Sequence, residues 1–204
     1  PSIVVERAGQ RIGIVGATTP SIAFISSPRR TGIDTNVVAA IQKQVDSLIA
    51  AGVNKIVVVS HLQAVANDTL LAKSLRHVDI MLAGGGDELL GAPNTAIQPG
   101  DAAPKAPYPL RVKDADGRTV YVVTAPGDYL YLGQLEAVFD SAGEVLRIGA
   151  ASGPRRVMGS GYVDGVGEDT AVRRLAVDPV FAYSTALATT RVGTSDVGLV
   201  GVRD

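Results

Sequence analysis

The first 83 residues alternate short apolar runs with longer stretches of helical spacing. Residues 11–16 ("RIGIVG") form a brief β-rich run. Over residues 34–51, Val37, Val38, Ile41, Val45, Leu48 and Ile49 recur at intervals that place them on one stripe of a helix. Asp34 stands where an N-cap is expected, and Gly52 where a glycine would close the C-terminus. Residues 55–60 ("KIVVVS") are almost continuously apolar, the pattern of a strand covered on both faces of a parallel sheet. Residues 67–75 read as a second helix and 78–82 as a third strand, which predicts a β-α-β-α-β unit.

Residues 91–107 dissolve into Pro, Gly, Ala and Asn, predicting a long surface loop. Beyond it, residues 110–113, 119–124, 131–139 and 145–148 are extended runs, with "DADG" and "DSAG" as hairpin signals. They predict an antiparallel β meander. A glycine-rich stretch, "GSGYVDGVGED", precedes a predicted helix over residues 169–188, and "RVGTSDVGLVGVRD" reads as a final strand. The fold class is therefore α/β: a parallel unit, an antiparallel meander and a C-terminal helix.

Composition adds little to this picture but removes several function classes. The 204 residues are 46% hydrophobic, enough for a substantial core in one domain or one domain with an appendage. Nineteen Lys and Arg against 20 Asp and Glu leave a net charge of −1, so no field draws the chain to nucleic acid or acidic lipid. No apolar stretch reaches the roughly 20 residues that span a bilayer, and the N-terminus lacks a basic-then-apolar signal pattern. Cysteine is absent, which excludes disulfides, thiolate metal sites and cysteine nucleophiles together. The chain has no tryptophan and few other aromatic residues on which bases could stack.

The stretch "RHVDIMLAGGGDELLG", residues 76–91, concentrates the candidate chemistry. A phosphate cradle needs glycines that lead into a helix, and an acidic pair beside the loop would repel the anion. "GIVGATTP" lacks the third glycine of a dinucleotide loop, and "GSGYVDG" has no strand feeding it. Ser60, His61 and Asp68 suggest a serine hydrolase, but neighbouring strand residues point to opposite faces and no Gly-x-Ser-x-Gly elbow is present. His61 follows Ser60 at the carboxyl end of a buried strand, where open α/β sheets bind their ligands. Asp87 sits past the end of the next strand. If those strands are neighbours, an imidazole and a carboxylate face one crevice, and both are acceptable ligands of a divalent ion. The alternative is a histidine at a strand-end turn and an aspartate in an exposed loop. His77, in a "RHVD" turn, reads as a solvated loop residue.

Taken in order, "RIGIVGATTP", "GVNKIVVVSHLQ", "DTLLAKSLRHVDIMLAGGGDELL" and "YPLRVKDADGRTVYVVTAPGDYLYLGQLEAVFDSAGEV" resemble the bacterial secreted 5′-nucleotidase family, within the calcineurin-like metallophosphoesterases. The resemblance extends to "DPVFAYSTALATTRVGTSDVGLVG", which is similar to the segment leading into that family's nucleotide-binding C-terminal domain. It implies a βαββ-type sandwich with two divalent metals between stacked sheets, and phosphate-ester hydrolysis by metal-activated water. By position, His61 is similar to the metal-binding histidine of the family's Ser-His-Leu strand end. The family's glycine-glycine-histidine-serine-histidine (or glutamine) motif falls on this loop, and its two ligand positions hold Gly85 and Asp87 here. The metal ligands implied are thus His61 and Asp87, with Mn, Zn, Mg and Ca not distinguished.

The family's earlier ligand motifs and its leaving-group acid are expected before Pro1, and its nucleoside-gripping domain after Asp204. On that reading, residues 1–150 are the C-terminal part of a partial metallophosphoesterase sandwich, and residues 151–204 are a linker. The expected substrate of the parent is a nucleotide or related phosphate ester. The isolated chain is expected to hold no metal and to be inactive. Its expected partners are the remaining N- and C-terminal parts, or a second copy met through uncovered apolar surface, and neither nucleic acid nor membrane. An extracellular, periplasmic or cell-surface location follows from the resemblance alone. The alternatives are a degenerate, non-catalytic member that binds a ligand or partner, and a structural module docking through a sheet edge.

Overall fold

A computed structural model describes residues 1–198. Contacts divide the chain into two units, Pro1–Val157 and Met158–Asp204.

The first unit is organised by a six-stranded sheet of order β1-β2-β3-β4-β6-β5. The strands are β1 (Ser2–Arg7), β2 (Gln10–Thr18), β3 (Ile56–His61), β4 (Ile80–Gly84), β5 (Leu110–Lys113) and β6 (Thr119–Val123). β2, β3, β4 and β6 are parallel, and β1 and β5 close the two edges antiparallel. α1 is a single turn (Ile22–Ile25); α2 (Val37–Ala50) links β2 to β3, and α3 (Val65–Ser74) links β3 to β4. The predicted β-α-β-α-β unit is therefore present, with β1 added at the edge.

The core lies where α2 and α3 cover one face. Register places Val15, Val58, Met81 and Val122 in one row across four strands, and all four are fully buried. Ile41, Val45 and Leu48 of α2 and Leu71 and Ala72 of α3 join the same cluster. Gly13 lets this packing close: a Cβ there would lie 2.7 Å from a Leu48 methyl and 2.9 Å from one of Ile56.

The opposite face is unevenly covered. Near β6 it is shielded, with Ile80, Tyr121 and Val123 buried. Away from β6, over β1–β3 and the carboxyl end of β4, it lies open: Ile3 is 60% exposed and Val59 and Leu82 are each 42% exposed.

The helix caps refine the expectations. α2 begins after Asn36, whose side chain accepts from the Ala39 N–H, whereas Asp34 accepts from Asn36 N one step earlier. Gly52 follows the helix at φ +76°, the left-handed closure that glycine adopts without strain.

The loop over residues 91–107 contains no strand; Leu90 and Ala106 make one isolated bridge at its base. The antiparallel strands that follow form separate pairs instead of one meander. "DADG" joins β5 to β6. "DSAG" joins β8 (Ala137–Phe139) to β9 (Val145–Ile148). β7 (Tyr131–Gln134) pairs with β10 (Gly153–Arg156). The single extended run over residues 131–139 is split because its two halves find different partners. β10, "GPRR", has no β-branched residue to announce it.

Gly143 in the β8–β9 turn has φ +91°, and a Cβ there would run into the Asn54 carbonyl, while Asn54 Nδ2 donates to Ser141 O at 3.1 Å. Gly143→Ala is expected to unseat this hairpin and cost about 2 kcal/mol or more. The urea midpoint measures it, and an unchanged midpoint would refute the close approach.

The second unit has a glycine-rich start followed by a helical stretch, as expected for residues 169–188. It comprises α4 (Thr170–Val172), a π-helical turn (Arg173–Val177) and α5 (Asp178–Thr189). Asp169 caps it by accepting from Ala171 N and Val172 N. The π turn falls just before Pro179, which has no N–H to donate and whose ring would clash in a regular turn; Asp178 N bonds Arg173 O instead. Val180, Phe181, Tyr183 and Leu187 are all exposed. The predicted final strand is not formed over residues 191–198, and the rest of that segment lies outside the described residues.

Candidate metal centre at the strand ends

The carboxyl ends of β2, β3 and β4 form one edge, with Thr18, His61 and Gly84 side by side in register. Thr19 N donates to His61 O at 2.9 Å and ties the first two ends together. Strand alternation then separates two neighbours. His61 shares the open face with Val57 and Val59, and its side chain is exposed. Ser60 points to the helix side and is buried.

Behind the edge, Ser60 Oγ makes a close hydrogen bond with Asp68 Oδ1 from α3 and also lies 3.0 Å from Leu82 O. Ser60 and Asp68 are thus partners, but His61 stands on the other face. The hydrolase triad is not assembled. Asp68 is fully buried, and its Oδ2 has no protein partner. Burial raises its pKa against the pull of the Ser60 bond, and the Glu88 carboxylate adds to the rise. Glu88 Oε2 is likewise buried without a protein partner, and its carboxylate packs over Gly86.

The glycine run is explained by the imidazole. A Cβ on Gly85 would lie 2.7 Å from both Cδ2 and Nε2 of His61, and Gly85 has φ +84°. A Cβ on Gly84 would lie 2.6 Å from Ser60 O. The ring therefore rests in space that only glycine at position 85 leaves free. Asp87 is exposed, and its carboxylate lies against Gly127, 3.3 Å from where a Cβ would stand. It lines a cavity of about 250 Å³ with Asp101, Lys105 and Asp128, and His61 is not among the lining residues. His77 lies at the far end of the strands. It is half-buried, with Nδ1 2.8 Å from Arg118 Nη1, so it is bonded to a side chain and not simply solvated.

His61 is thus an exposed imidazole at a strand end, Gly85 offers no side chain, and the Asp87 carboxylate lies against Gly127. Among the described residues, no three His, Asp or Glu side chains are grouped so as to hold a metal ion.

No family model matches the chain. It is 35% identical over 147 residues to a 5′-nucleotidase of Diplobatis ommata, a match covering 72% of this chain and 25% of that protein. The chain belongs to the 5′-nucleotidase family. A 5′-nucleotidase precursor from Thermus thermophilus superposes with a TM-score of 0.76 at 34% identity, covering 92% of this chain and 34% of that one. The NAD nucleotidase of Haemophilus influenzae shares the fold, with a TM-score of 0.76 at 19% identity over 95% of this chain and 39% of that one. The chain spans about a quarter of the length of the curated relatives it matches. Among the described residues, no helix is long and apolar enough to cross a membrane.

The residues that sequence reasoning missed are the buried carboxylates. Glu88 gave no signal, being one of two acidic residues after a glycine run. Asp68 did give one: it stands three and seven residues before Leu71 and Leu75, on the buried stripe of α3.

Proposed function

We propose that this chain is part of a phosphoesterase that hydrolyses nucleotides or related phosphate monoesters, with His61 as one donor to its divalent metals. The observation that carries the reading is the exposed imidazole at the tip of β3, on the edge where β2, β3 and β4 end together. When bound, the metals would supply an activated water for attack at phosphorus. The chain's own contribution is positional: β3 carries the imidazole, and the Gly84–Gly85 backbone supports its ring. Asp87 is the second proposed donor, and its carboxylate must turn away from Gly127 to serve.

The open β1–β3 face supports reading residues 1–150 as the C-terminal part of a sandwich whose other sheet comes from polypeptide outside this chain. Residues 151–204 are read as the segment leading to a further domain, and the contact boundary after Val157 is close to that division.

The test uses the full-length protein that contains this chain, assayed with manganese and several phosphate monoesters. Metal-dependent phosphate release is expected, and His61→Ala should lower it by at least about tenfold. Absence of release from every ester tried would overturn the proposal.

A non-catalytic member is the second reading, favoured by the space at Gly85 being filled by the His61 ring. Calorimetric metal titration of the full-length protein separates the two, because tight binding of two ions per molecule would exclude the degenerate reading.

A further inference from the structure

Ser60 Oγ lies within hydrogen-bonding distance of two acceptors, Leu82 O at 3.0 Å and the Asp68 carboxyl. A hydroxyl carries one hydrogen. If Ser60 donates it to the Leu82 carbonyl, which has none of its own, the contact with Asp68 requires a hydrogen on the Asp68 side. The environment of the carboxyl agrees. Asp68 is fully buried, Oδ2 has no protein partner, and the Glu88 carboxylate is an electrostatic neighbour. Desolvation and the Glu88 carboxylate raise the pKa of Asp68 against the pull of the Ser60 bond, its own backbone N–H and His61. A place in the first turn of α3 favours the charged form, but that influence is weak beside desolvation.

We propose that Asp68 is a neutral carboxylic acid that donates to Ser60, which in turn donates to Leu82 O, and that this relay makes Asp68 a positioning residue for His61. The relay runs from α3 through the end of β3 to β4. It fixes the peptide from which the imidazole projects and the strand that ends in the glycines supporting the ring. Ser60 has its hydroxyl on the helix side because His61 must face the other way, so the buried bond and the exposed ligand are two sides of one dipeptide. The proposal rests on the metal reading of His61 only for its consequence in the site.

The chain, with aspartate side chains labelled with ¹³C, is examined by carboxyl NMR near neutral pH. The resonance lost in Asp68→Asn should have the shift of a protonated acid. Asp68→Asn, whose amide still donates to Ser60, should keep the His61 ring signals in place. Asp68→Leu, or Ser60→Ala where Asp68→Leu does not fold, should shift or broaden them. A carboxylate shift for Asp68 overturns the proposal, as does a His61 ring indifferent to Ser60→Ala. The full-length protein, assayed with manganese, tests the other reading separately. If His61→Ala leaves metal-dependent phosphate release unchanged while the acid signature is intact, the metal role of His61 falls and the relay stands.

Discussion

Moving the chain from about pH 5 to about pH 8 is expected to weaken the fold by roughly 2–3 kcal/mol, because Asp79 must ionise inside it. Asp79 opens β4 at the end opposite the candidate site and is 4% exposed. Burial pushes its carboxyl from the ordinary 3.8 up to about 7, against the opposing pull of the Ile56 N–H and of Arg118. Its Oδ2 accepts from Ile56 N at 2.7 Å, and Arg118 Nη2 lies 3.7 Å from Oδ1. Arg118 is shared, since it also pairs closely with Glu144 and bonds His77.

The folded-state pKa is raised, so the stabilising contribution is complete below the unfolded value and is lost as pH rises through about 7. Asp79→Asn keeps an acceptor for the Ile56 N–H and removes the titration. Urea unfolding at both pH values should show the variant losing clearly less than the parent chain. Equal losses would mean that another group is responsible.

Gly85→His, which places an imidazole where the family resemblance implies one, is expected to damage the edge instead of completing it. The new Cβ would fall 2.7 Å from two atoms of the His61 ring, in a left-handed backbone region that costs a non-glycine residue about 1–2 kcal/mol. With overpacking added, the expected loss is about 2–4 kcal/mol, accompanied by displacement of the His61 ring. The urea midpoint and the His61 NMR signals measure the two effects. A variant of unchanged stability with the ring in place would show that the contact is not tight. The donor at position 85 is thus not recoverable by one substitution while the ring keeps this pose.

Much of this architecture was legible because it follows from local periodicity. The stripe of α2 identified Ile41, Val45 and Leu48 as its buried positions, although Val38 and Ile49 remain more than a third exposed at the margins. "KIVVVS" announced a central strand and thereby placed His61 at its tip. Partner choice was less legible, because pairing of β7 with β10 depends on which backbone edges meet and not on the residues of either strand alone. The setting of Asp87 was hard to read for a related reason. β3 and β4 are neighbours as expected, yet the path of the loop after Gly84 carries the Asp87 carboxylate toward Gly127. Asp68 lay on an apolar stripe, but a polar letter there reads as solvent-facing unless the stripe itself is trusted.

The row of Val15, Val58, Met81 and Val122 has an evolutionary corollary. Each member touches its lateral neighbour on a surface closed over by two helices, so volume gained at one must be surrendered beside it. Lineages that drift at Met81 should carry reciprocal exchanges at Val58 or Val122, which makes these positions a set inherited jointly and not four separate characters.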